Sequence, residues 1–260
     1  MGIINLSPDS FYGDSYCGNI DETLKVAAEM VQGGAAMLDI GAESSRPGSL
    51  PITEEEEIGR LLPVVSRLVK EFDLPVSVDT YKPAVIEAVL GEGVTLINDI
   101  TGLQQSPRSA EIIARYNAGV IVMHMRGNPQ TMQIDPKYDN LMEEVITYLK
   151  RSIQIAETAG IDPDRIIIDP GIGFGKTVEQ NLELVRNLSQ FNRLKKPILL
   201  GVSRKSFIGK TLNLPVEDRL EASLAAAVIG IINGANIIRA HDVPETVRAL
   251  NMAQLILNGN

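Results

Sequence analysis

The sequence predicts a single domain built as an α/β fold, a (β/α)8 barrel, and three observations carry that prediction. Eight short, β-rich apolar runs recur along the 260 residues. Amphipathic stretches with helical spacing lie between them. No Pro/Ser/Gly-rich linker or charge block divides the chain, so residues 1–260 read as one unit. Strands buried on both faces read as continuous apolar runs, and eight strand–helix alternations in about 250 residues suit a closed barrel better than an open doubly wound sheet.

The first run, "GIINL" (2–6), leads into "SPDSFYGDSYCGN" (7–19), whose Ser, Pro and Gly predict a loop over the barrel mouth. "IDETLKVAAEMVQGG" then has helical spacing. The second run, "AMLDIG" (36–41), is followed by a similar turn-rich stretch, "ESSRPGSLP" (43–51), and by the amphipathic "EEEEIGRLLPVVSRLVKEF". "PVSVD" (75–79), "TLIND" (95–99) and "GVIVMH" (119–124) are the third to fifth strands, with "NLMEEVITYLKRSIQIAETAG" as the helix after the fifth. "RIIID" (165–169), "PILLGVS" (197–203) and "ANIIRAH" (235–241) complete the set, and "VPETVRALNMAQLILNG" is the closing helix. "LEASLAAAVIGIINGA" (220–235) is apolar around nearly its whole circumference, so neighbouring helices or a second subunit must cover it.

The runs end on polar residues: Asn5, Asp39, Asp79, Asn98 with Asp99, His124, Asp169, Ser203, and Arg239 with His241. In a barrel these ends converge on one mouth, where active sites are built. Any one of them could simply cap a helix or turn. So many carboxamides, carboxylates and cations on successive ends argue for a binding mouth.

"DPGIGFGKT" (169–177) resembles a phosphate loop but fails both templates. A P-loop needs glycine where Pro170 stands, and a dinucleotide fingerprint needs G-x-G-x-x-G, whereas Gly171, Gly173 and Gly175 are spaced two and two. Asp79, Asn98 and Asp169 instead suit a flat, donor-rich heterocycle: a carboxylate accepts two adjacent N–H groups of an amino-pyrimidine edge, and a carboxamide satisfies a donor and an acceptor together. The stretches "SRKS" (203–206) and "RAH" (239–241) supply Lys205, Arg239 and His241 as candidate phosphate or ring ligands, since the loops after strands 7 and 8 of a barrel often form an anion site. Arg204 is expected to be solvated or in a structural ion pair, because it points opposite to Lys205 on an extended segment. In the two turn-rich loops, Asp9, Asp14 and Arg46 could order Mg²⁺ and its anion, and Phe11 or Tyr12 could cover a substrate. His124 reads as a structural histidine, with nothing nearby to complete a metal set.

With 44% apolar and 22% charged residues the chain can bury a large core, and its net charge of −9 argues against nucleic-acid or anionic-membrane partners. Its lone cysteine, Cys17, excludes an intrachain disulfide and fits a reducing cytoplasm. The opening stretch "MGIINLSPDS" has no basic n-region, and the most apolar stretch is too short and alanine-rich to span a bilayer, so neither secretion nor membrane insertion is indicated.

In order along residues 2–256, "INLSPDSF", "DIGAESSRPG", "VDTYKPAV", "NDITG", "MHMRGNPQTMQ", "DPGIGFGKT", "GVSRKSFIG" and "IRAHDV" resemble the successive motifs of the dihydropteroate synthases, a TIM-barrel family of the folate pathway. The resemblance implies a cytoplasmic transferase, usually dimeric and a sulfonamide target, that uses Mg²⁺. It would condense 6-hydroxymethyl-7,8-dihydropterin pyrophosphate with 4-aminobenzoate to give dihydropteroate and pyrophosphate, by dissociative loss of pyrophosphate. It further implies a pterin pocket at Asp79, Asn98, Asp169 and Lys205, and a pyrophosphate site at Asn5, Arg46, Arg239 and His241, with Asn5 toward the metal. The 4-aminobenzoate site would be Phe11, Ser45, Pro47, Lys205 and Ser206. Catalysis would rest on Asp79, Lys205, Arg239 and His241.

The chain departs from the family pattern at Ala42 and Ser45, where glycine and threonine are usual, at Asp14, where the second loop acid is displaced, and in opening directly on the first strand without the customary N-terminal hairpin. Two rival readings are a barrel that binds pterin without turnover and a pterin-dependent corrinoid methyltransferase. The latter has no use for a pyrophosphate site.

Overall fold

The computed structural model describes residues 1–6, 19–45 and 48–258. Among them eight strands alternate with helices: β1 Gly2–Asn5, β2 Leu38–Gly41, β3 Val76–Asp79, β4 Leu96–Asp99, β5 Gly119–Met123, β6 Ile166–Asp169, β7 Leu199–Leu200 and β8 Ile237–Ile238. Pairing is parallel and sequential, β1 through β6 in one ladder and β7 with β8 in another. Single bridges join Ile168 to Ile198 and Gly2 to Ala240, which closes the ring. The predicted (β/α)8 barrel is thus present, and the open sheet is not.

The last two strands are shorter than the apolar runs that signal them. The Arg239 amide still reaches Leu200 O at 3.0 Å, but the His241 amide turns to Ser203 Oγ at 3.2 Å. Side chains replace the ladder where the mouth begins.

The helices are α1 Ile20–Gln32, α2 Glu54–Glu71, α3 Pro83–Gly91, α4 Pro107–Arg115, α5 Leu141–Thr158, α6 Val178–Arg186, α7 Ser206–Leu212, α8 Leu220–Ile232 and α9 Val243–Asn258. Their starts follow local chemistry. Asn19, Thr53 and Asn140 accept from the third amide of α1, α2 and α5, and Thr177 with Gln180 forms a capping box on α6. Pro83 and Pro107 open α3 and α4, where the missing N–H costs nothing.

Packing has two layers. Ile40, Val78, Ile97 and Val120 lie in register on adjacent strands and are buried in the main core. Each such side chain contributes about 1.5–3 kcal/mol relative to exposure. Inside the barrel, Leu96, Ile121 and Leu199 pack with Met37, Ile167 and Ile237. This plug lies on the N-terminal side of the polar strand ends, beneath the mouth cavity.

The apolar α8 is covered on a narrow face, through Ser223, Ala227 and Gly230. Ile229 and Ile232 remain exposed, as do Met252, Leu255 and Ile256 on α9, which packs beside it.

Candidate active site

The mouth cavity is lined by Asn5, Ser45, Asp79, Asn98, Asp169, Lys205, Ser206, Arg239 and His241, each singled out by the sequence. The strands position most of them directly, since Asn5, Asp79 and Asp169 are the last residues of β1, β3 and β6, and Asn98 the penultimate one of β4. Phe11, Arg46 and Pro47, with Asp9, Tyr12, Asp14 and Cys17, lie outside the described residues.

Arg239 organises one side of the cavity. Its Nε donates to Asp39 Oδ2 at 2.6 Å and its Nη2 to Asp79 Oδ2 at 3.2 Å. Burial works against its charge, but the two carboxylates outweigh that and raise its pKa. Burial pushes Asp79 up to about 7 against the pull of Arg239, with the Asp39 carboxylate adding to the rise. Asp39 therefore differs from its reading as a strand end: it sits second in β2, fully buried beneath the mouth, as the counter-charge of Arg239. Asn98 Nδ2 donates to the same Asp39 oxygen at 3.2 Å. Its own Oδ1 is buried without a partner, an arrangement that leaves an acceptor for a donor-bearing ligand.

Opposite lies the glycine-rich turn after β6. Asp169 Oδ1 accepts from the Gly171 amide at 2.7 Å. Burial raises the Asp169 pKa, opposed by that amide and by Lys205. Gly171 has φ +71°, and a Cβ there would stand 1.9 Å from His124 O, so the turn requires glycine for space as well as conformation. The turn serves close backbone packing, in agreement with the failed phosphate-loop templates. Lys205 Nζ rests 4.3 Å from the centre of the Phe174 ring, and burial lowers its pKa to about 8 against the attraction of Asp169.

Lys176 and His124 are buried behind this wall. Lys176 Nζ donates to Gly171 O at 2.8 Å and Phe174 O at 2.9 Å and lies 2.9 Å from His124 Nδ1. Burial, reinforced by Lys176, pulls His124 down to about 2, so its ring is neutral and structural as the sequence suggested. Arg204 is the structural ion pair rather than the solvated residue. It is buried, and Nε and Nη2 clasp both oxygens of Asp242 at 2.9 and 2.8 Å. At the rim Ser203 Oγ and His241 Nδ1 are 3.0 Å apart.

No group of three or more His, Cys, Asp or Glu side chains suited to a metal occurs among the described residues. Mg²⁺ keeps several waters and is commonly bound through one or two carboxylates plus substrate phosphates, so the Asn5 side-chain oxygen, in a cavity that also holds the Asp79 and Asp169 carboxylates, fits such an ion.

The pterin binding enzyme family matches residues 1–241. The dihydropteroate synthase of Clostridium beijerinckii is 46% identical over 99% of this chain and 93% of its own. The chain belongs to the dihydropteroate synthase family. Among solved structures of that family, the Yersinia pestis synthase in a sulfonamide drug complex superposes with a TM-score of 0.95 at 42% identity, covering 99% of this chain and 93% of that one. The Xanthomonas albilineans synthase with 4-aminobenzoic acid gives 0.90 at 39%, covering 98% and 92%.

Against the family pattern, Ala42 is accommodated without strain. It is absent from the positive-φ positions, and its side chain is fully buried in the main core. Sequence reasoning passed over Glu43, Ser44, Met123, Met132 and Phe174, which also line the cavity, and Lys176 behind it. Phe174 had a legible signal, an aromatic flanked by glycines in a strand-end turn. Lys176 was weighed only as a failed phosphate-loop lysine.

Proposed function

We propose that the mouth cavity condenses 6-hydroxymethyl-7,8-dihydropterin pyrophosphate with 4-aminobenzoate, as the dihydropteroate synthases do in folate biosynthesis. The observation that carries this reading is the pairing of the Asn98 acceptor without a partner and the Asp169 carboxylate in one cavity with Lys205 and Arg239. The pterin edge donates to Asp169 and Asn98, and Lys205, seated on Phe174, donates to a ring acceptor. The pyrophosphate lies toward Arg239, His241 and Asn5. Asp39 holds Nε and Nη2 of Arg239 and Asp79 holds Nη2, so neither carboxylate takes the Nη1 donors, which this reading gives to the anion.

The bond between the pterin methylene and the pyrophosphate oxygen breaks, and its electron pair leaves with pyrophosphate. Electron release from the dihydropterin ring stabilises the methylene cation, and Asp79 lies among the mouth carboxylates that favour it. The 4-aminobenzoate nitrogen forms the new C–N bond and loses a proton to water or to the departing anion. Ser45 and Ser206 line the cavity on the side assigned to this arylamine. Bound by Asn5 and the pyrophosphate oxygens, Mg²⁺ would supply charge neutralisation for the leaving group. The proposal extends to a cytoplasmic homodimer that buries the exposed apolar side chains of α8 and α9, and to sulfonamide inhibition at the arylamine site.

The test is pyrophosphate release, coupled to a colorimetric readout, on mixing both substrates with Mg²⁺. Pterin binding without release would select the rival pterin-binding barrel.

A further inference from the structure

The segment between β2 and α2 brings Glu43, Ser44 and Ser45 to the cavity wall, and its course depends on a lysine outside the cavity. Lys82, at the start of α3, sends Nζ to three acceptors at 2.6 Å each: Glu43 Oε2 where the segment begins, Ile52 O where it ends, and Glu57 Oε2 in the first turn of α2. Glu43 is itself held from two further sides. The Ile52 amide donates to its Oε2 and the Tyr81 hydroxyl to its Oε1, both at 2.9 Å. Both carboxylates are almost wholly shielded from water, with side-chain exposures of 11% for Glu43 and 1% for Glu57. Gly48, between these anchors, donates its amide to Pro129 O at 3.1 Å.

We infer that Lys82 is a positioning residue for the second substrate: it staples the two ends of the β2–α2 segment and so sets where Ser44 and Ser45 stand in the cavity. The inference rests on the arylamine reading of that wall. Lys82 does not line the cavity, and the pterin ligands Asn98 and Asp169 sit on β4 and β6, outside the stapled segment. Its loss therefore acts on one substrate. A compact ammonium with three donors suits three acceptors arranged around it, and low exposure makes each contact count. Burial opposes the Lys82 charge, but Glu43 and Glu57 outweigh it and raise its pKa, so the staple stays charged across the neutral range.

The test compares wild type with Lys82→Met and with Lys82→Met combined with Glu57→Gln, which removes the carboxylate left unpaired and protects the fold. KM for 4-aminobenzoate should rise at least about tenfold, as expected for a displaced positioning group, with kcat at saturating arylamine changed far less. The pterin dissociation constant, measured by calorimetry without pyrophosphate, should stay within about twofold for Lys82→Met, because Asn98 and Asp169 share no hydrogen-bond partner with the staple. Hydrogen exchange at the amides of residues 48–52, led by Ile52, should accelerate while β4 and β6 keep their protection. An unchanged KM in a folded variant, or arylamine and pterin constants that worsen in parallel, would overturn the assignment. If the wild type makes no product, the functional reading fails. The exchange pattern then decides the staple alone, and unaltered protection at residues 48–52 rejects it.

Discussion

Arg239 Nε and Asp39 Oδ2 are 2.6 Å apart, a contact that joins the end of β8 to β2 across 200 residues of sequence. Asp39 is fully buried, and Arg239 supplies its counter-charge beneath the mouth. Removing one partner of such a pair costs about 3–5 kcal/mol, since the other charge stays buried alone. Arg239, which lines the cavity, is thereby held by a residue outside its lining.

Arg239→Ala is expected to lower the melting temperature for that reason and also to discriminate between ligands. Affinity for the pterin pyrophosphate should fall by roughly tenfold to a hundredfold, the value of a charge-assisted contact, while the unphosphorylated pterin alcohol loses much less. Calorimetry with both ligands checks this, and equal losses would remove Arg239 from the anion site.

Asp169→Asn tests the pterin edge. Asp169 Oδ1 accepts from the Gly171 amide, and the amide oxygen of asparagine can take over that bond. The new NH₂ then faces the ligand, setting donor against donor. Pterin affinity should drop at least about tenfold with little change in melting temperature. A large stability loss with unchanged affinity would make the residue a structural cap.

The raised pKa of Asp79 predicts a pH dependence of stability. Its folded value is about 7 against 3.8 for the free group, so the folded state binds the proton more tightly and this contribution is lost as pH rises from about 4 to 7. Asp79→Asn cannot titrate. Its melting temperature relative to wild type should therefore climb across that window. Melts at pH 4.5 and 7 giving a constant difference would contradict the burial argument.

Assembly follows from α8 and α9. Ile232 is 56% exposed and Ile256 71% on adjacent helices, apolar surface that the proposed dimer would bury. Light scattering at micromolar concentration should report twice the chain mass of 28.2 kDa, and Ile232→Glu should shift it toward monomer while the barrel still melts cooperatively. A wild type that scatters only as monomer refutes the dimer.

The barrel and its polar mouth were legible because they depend on short-range patterns. A run such as "RIIID" is short and β-branched, which suits a buried strand, and a parallel closed sheet must present all its C-terminal ends on one side, so Asp79, Asn98 and Asp169 meet. Glycine spacing likewise suffices to reject a phosphate loop. Less was legible where function depends on partners: Asp39 looked equivalent to Asp79, yet two residues of register place it under the mouth rather than in it.

By itself, then, the sequence determined the alternation of strands and helices and which residues the strand ends carry, since periodicity and turn chemistry act over a few neighbours. Only the tertiary structure decided what state those residues are in. Arg239 is shared between Asp39 and Asp79, Lys176 is enclosed by Gly171, Phe174 and His124, and Lys82 is held between Glu43 and Glu57. Charge interactions and the cost of burial depend on separations of a few ångströms across the fold and on exclusion of water. No linear spacing encodes either quantity.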